Sequence, residues 1–84
     1  MKLYYISFRS VTFAQRGEQV LTDAGVRCSL QRTPKWMEAQ GCGYALRIWT
    51  EEIGEVLRLM RAARVMMRKL YKQRPDGQLE EMPL

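Results

Sequence analysis

The chain has 84 residues, enough for one small domain with a single modest core. Lys and Arg number 14 against 9 Asp and Glu, for a net charge of +5, and the absence of histidine excludes histidine general bases, Ser-His-Asp triads and histidine-ligated metals. Apolar residues, at 46%, suit a folded domain, no apolar run is long enough to span a bilayer, and two cysteines without a secretory leader predict reduced thiols in the cytoplasm, with no metal and no cofactor.

Leu3 to Phe8 is rich in aromatic and β-branched residues and predicts a strand. Ser10 or Thr12 then caps a helix running to about Ala24, with Ala14, Gly17, Leu21 and Ala24 on its apolar stripe and Gly25 as its stop. Val26, Cys28 and Leu30 alternate with Arg27, Ser29 and Gln31, the period-two pattern of a half-buried strand. A loop containing Pro34 and ending at Gly41 precedes a third strand from Gly43 to Trp49. Thr50 is the expected start of a second helix, with Glu51 and Glu52 at the positive end of its dipole and a clean stripe of Ile53, Val56, Leu57, Met60 and Ala63. Val65 to Tyr71 completes the set as a fourth strand.

The order β-α-β-β-α-β, with one apolar stripe per helix, predicts an α+β ferredoxin-like sandwich over residues 1–72. Four antiparallel strands would carry both helices on one face, and residues 73–84, with Pro75, Asp76-Gly77 and Pro83, would form a flexible C-terminal tail. In that topology strands two and four are the sheet edges. Arg27 and Arg32 on one, and Arg68, Lys69 and Lys72 on the other, would guard them against edge-to-edge association.

The same topology brings the end of strand one, the start of the first helix, the end of strand two and the start of strand three to one end of the sheet. Cys42, directly before strand three, is therefore expected near Arg9, Ser10, Val11 and Thr12, at the free backbone N–H groups of a helix N-terminus that favours a thiolate. Gly41 and Gly43 flank the thiol and leave room for a partner to approach. Gly41-Cys42-Gly43 also reads as a tight turn into a strand with cysteine as a small filler. Cys28, between Val26 and Leu30 on an apolar face, is expected to be inert. Trp36, in the loop, either shields the thiol or docks a partner, or packs against the sheet edge.

Further residues carry a family resemblance. Tyr4-Tyr5-Ile6-Ser7-Phe8 followed by Ser10-Val11-Thr12-Phe13-Ala14 resembles the opening of the selenium/sulfur carrier-like family. Leu21-Thr22-Asp23-Ala24-Gly25 is similar to that family's Leu-x-x-Ala-Gly helix end, Pro34 to its proline after the second strand, and Cys42-Gly43 with Ala45-Leu46-Arg47 to its Cys-Gly pair opening a strand. The resemblance covers residues 3–72. It implies a ferredoxin-like fold and sulfur or selenium carried on Cys42. The chain departs from the Cys-Pro-x-Pro motif of other cytosolic sulfur carriers, and Glu38-Ala39-Gln40 stand where serines often precede the family's cysteine; Glu38 would raise the thiol pKa if close.

The expected function is that of a non-enzymatic thiol carrier, which holds a persulfide or selenopersulfide on Cys42 and passes it between enzymes. Gly41, Gly43, Arg9, Ser10, Thr12 and Trp36 would form the surrounding binding residues. Donor and acceptor enzymes with acidic surfaces are the expected partners. The alternative is a small interaction or regulatory module with an incidental cysteine. No membrane partner is expected. A third reading is an RNA-binding sheet, since a ferredoxin-like sheet with aromatics and arginines on its open face is how many RNA-binding modules are built; it ranks below the other two because the Lys/Arg-Gly-Phe-Gly/Ala-Phe run of such modules does not occur.

Overall fold

A computed structural model describes residues 1–33 and 43–84. Lys2–Phe8 form β1, with Tyr4, Ile6 and Phe8 buried on the face toward the helices. Ser10 then adopts an extended conformation and its hydroxyl accepts the Phe13 N–H at 3.2 Å, which caps α1, Val11–Asp23. At the other end of α1, Gly25 takes φ +78°; its N–H donates to the Thr22 carbonyl and the Val26 N–H to that of Leu21, the paired bonds that close a helix through a left-handed residue. β2 spans Arg27–Arg32, β3 Tyr44–Thr50 and α2 Ile53–Ala62. β4, Lys69–Gln73, begins at Lys69 rather than Val65.

α2 starts at Ile53 rather than Thr50 because Thr50 remains in β3, paired with Lys2, and its hydroxyl accepts the Glu52 N–H at 3.0 Å. The predicted stripe holds: Val56, Leu57 and Met60 are buried against the sheet, while Glu55 and Arg58 are exposed and paired with each other. α1 approaches closely at Gly17, where a Cβ would stand 2.9 Å from Met60 Cε and 3.2 Å from Leu46 Cδ1.

All neighbouring strands are antiparallel, and their order is β2-β3-β1-β4-β5. The first four positions are the expected ferredoxin-like arrangement; the expectation of four strands is corrected by the fifth. β5, Leu79–Met82, lies in the segment expected to be a flexible tail and pairs with β4 from Gln73↔Leu79 to Leu70↔Met82. The turn-prone residues make a hairpin. Gly77 has φ +88°, the Asp76 carboxylate accepts the Gln78 N–H at 3.0 Å, and the Arg74 N–H donates to the Gln78 carbonyl at 2.8 Å. β4 is therefore interior, and its lysines meet β5 instead of guarding an edge: Lys72 stands opposite Glu80, and Lys69 Nζ lies 3.7 Å from Glu81.

Candidate functional site

The ends of β1 and β2 and the starts of α1, β3 and β4 converge at one end of the sheet. β1 hands over to α1 through Arg9, which is exposed, and Ser10, whose hydroxyl is spent on the cap. The first turn of α1 contains no acidic residue, so its positive end stays uncompensated by the chain's own carboxylates there. β2 ends with Arg32 opposite Tyr44, the Arg32 guanidinium 5.8 Å from the Tyr44 ring centroid. The Thr33 N–H donates to the Gly43 carbonyl at 3.0 Å and extends the ladder past the strand end. Thr33 is buried, and its hydroxyl has no hydrogen-bond partner among the described residues.

Arg9, Arg32, Gly43 and Tyr44 line a pocket of 130 Å³. A second pocket, of 340 Å³, lies against the start of α1 and is lined by Arg9, Phe13, Met66, Met67 and Arg68. Arg9 belongs to both, and Met66 is 70% exposed at the second. This end of the sheet thus carries three guanidinium groups, on Arg9, Arg32 and Arg68, around apolar side chains.

Of the sequence-predicted site residues, the structure brings Arg9 and Gly43 into one lining, with Ser10 beside them as the helix cap. Thr12 is exposed on α1 and is not part of that lining. Trp36, Gly41 and Cys42 lie outside the described residues. Arg32 and Tyr44 had not been expected in the site. Their signal was the strand register, since extending the alternation of Val26, Cys28 and Leu30 by two residues places Arg32 at the strand end that faces the loop.

Cys28 stands near the opposite end of β2, half-buried on the helix-facing side, its sulfur 3.9 Å from both the Thr22 hydroxyl and the Glu18 carbonyl. Burial pushes its thiol above the ordinary value of 9.0; Thr22 opposes that shift and the Glu18 charge adds to it. A thiol so placed is a poor nucleophile at neutral pH, in keeping with the inert role expected of it.

No helix among the described residues is long and apolar enough to cross a membrane. No curated protein and no solved structure gives a significant match to the chain. A family model described as "Putative Se/S carrier protein-like" matches residues 3–72, from β1 into β4, and leaves β5 outside the match. The Tyr4–Phe8 strand, the Leu21–Gly25 helix end and the Cys42-Gly43 pair all fall within that span, and the chain belongs to this family.

Proposed function

We propose that the chain carries sulfur or selenium on Cys42, as a persulfide or selenopersulfide, between a donor and an acceptor enzyme in the cytoplasm. The observation that carries this reading is the family match over residues 3–72, which includes Cys42-Gly43. The described geometry is compatible with it: Gly43, the chain neighbour of Cys42, lines a pocket whose charged groups are two guanidiniums. Guanidinium groups in such a lining favour the binding of an anionic group.

In the loading step the Cys42 thiolate attacks the terminal sulfur of a donor persulfide. The new S–S bond forms as the donor's S–S bond breaks, and the donor leaves as a thiolate. In unloading, an acceptor thiolate attacks the terminal atom and Cys42 departs as a thiolate. Neither step needs an external oxidant or reductant. The net charge of +5 favours donors and acceptors with acidic surfaces.

The test is incubation with a cysteine desulfurase and cysteine, followed by intact-mass measurement. The protein is expected to gain ~32 Da as a persulfide formed by thiolate attack. Cys42→Ser abolishes the gain and Cys28→Ser preserves it. A folded protein that loads no faster than its urea-unfolded form at the same pH would leave the interaction-module reading in its place.

A further inference from the structure

The face of the sheet turned away from the helices carries a row of planar side chains across three strands. On β3, Arg47 and Trp49 are two residues apart and share this face; Arg27 of β2 pairs opposite Trp49, and Tyr5 of β1 opposite Arg47. The Arg27 guanidinium lies 4.6 Å from the Trp49 ring centroid, and that of Arg47 lies 5.0 Å from Trp49 and 5.9 Å from Tyr5. Guanidinium and ring alternate along the row. Among the described residues neither arginine has a carboxylate partner, and the buried Arg47 Nε–H has no acceptor. Ser29 and Gln31 lie beside the row on the same face.

From this geometry we infer that the open sheet face binds single-stranded RNA. A second copy of the chain would bring like charges together. An acidic peptide would satisfy the guanidiniums and leave the rings without a role. A single strand satisfies both, because its phosphates pair with Arg27 and Arg47 while its bases stack on rings and guanidinium planes. Trp49 and Tyr5 stand diagonally across β3 and β1, about 7–8 Å apart as such neighbours are, far enough to seat two separate bases. Ser29 and Gln31 offer groups that can pair with a ribose 2′-hydroxyl, which DNA lacks. The inference is independent of Cys42. The row is assembled from three strands, so the linear run of other RNA-binding sheets is not needed to form it.

Fluorescence anisotropy with a short labelled single-stranded RNA tests it, with circular dichroism to confirm that each variant is folded. Trp49→Ala is expected to weaken binding roughly tenfold and Trp49→Phe to retain most of it, as base stacking requires. Arg27→Ala is expected to weaken binding and to flatten the log–log salt dependence by about 0.7, the loss of one phosphate contact on a single strand. Arg61→Ala, an equal charge loss on α2 on the other side of the sheet, and Cys42→Ser are expected to bind as the parent does. Equal losses in Arg61→Ala and Arg27→Ala would reduce the effect to net charge and overturn the inference. So would equal affinity for the same sequence as duplex RNA or as single-stranded DNA, or equal competition by polyglutamate.

Discussion

Gly25 and Arg64 occupy the same position, one residue past the C-caps of α1 and α2, and they make a matched experiment. Both have positive φ, +78° and +57°. Both sit in the same pair of closing bonds: Gly25 N–H to Thr22 and Val26 N–H to Leu21 in one, Arg64 N–H to Arg61 at 3.0 Å and Val65 N–H to Met60 at 2.9 Å in the other. A side chain held in the left-handed region costs about 1–2 kcal/mol. Glycine carries an opposing cost of about 0.5–1 kcal/mol through its freedom in the unfolded chain. The difference predicts that Arg64→Gly stabilises by about 0.5–1 kcal/mol and that Gly25→Ala destabilises by a similar amount. Arg64 is exposed and has no ion pair among the described residues, so its removal sacrifices no contact that would mask the gain. Urea denaturation followed by circular dichroism measures both, and for a domain of this size 1 kcal/mol corresponds to about 4–8 °C in Tm. The double variant is expected near the parent, since the two helix ends are separate and their effects add. A destabilised Arg64→Gly, with m unchanged, would refute the reasoning.

Other expectations follow from the core and the thiols. Leu57→Ala, at a buried position on α2, is expected to destabilise by about 2–5 kcal/mol, whereas Glu55→Ala on the exposed face leaves the urea midpoint nearly unchanged. Ser7 is buried, and its hydroxyl accepts the Lys69 N–H at 3.2 Å, so Ser7→Ala is expected to cost about 1–3 kcal/mol in the same measurement by leaving a buried donor unpaired. Residue-resolved alkylation by iodoacetamide is expected to label Cys28 slowly in the native protein and faster in urea, because its native pKa lies above the ordinary 9.0. A raised native pKa stabilises the fold below the unfolded value and is lost as pH rises through the native one. Stability is therefore expected to decline above about pH 9 by an increment that Cys28→Ala removes.

The elements that were legible in the sequence are those whose burial follows one period. Ile53, Val56, Leu57 and Met60 mark a helix without ambiguity, and Val26, Cys28 and Leu30 mark a strand. β5 was not legible because Leu79-Glu80-Glu81-Met82 follows neither period: two apolar ends enclose two acids, and what holds the segment is pairing with β4. Its hairpin signal was present in Asp76-Gly77, but a turn joins two strands only when both are recognised. α2 was placed too early because Thr50 has a capping side chain, and the preference of Thr for strands prevailed once Lys2 lay opposite. At the candidate site, the topology expected from the sequence already brings Arg9 close to the residues next to Cys42, Gly43 among them, and the two share one pocket lining. Arg32 and Tyr44 needed the register, and the guanidinium–ring row needed three strands side by side, so neither had a linear signature.

The position of β1 sets the timing of assembly. β1 precedes the other four strands in the sequence yet lies in the middle of the sheet, flanked by β3 on one side and β4 on the other. β3 cannot complete its pairing with it until residue 50 has been synthesised, and β4 not until Gln73. Until then one row of N–H and C=O groups on β1 has no ladder partner. Pairings of such separation make folding slow relative to helical domains of equal length. β1 is therefore paired on both sides only when the whole β1–β4 unit is in place, and its amides are expected to be among the slowest to exchange with solvent.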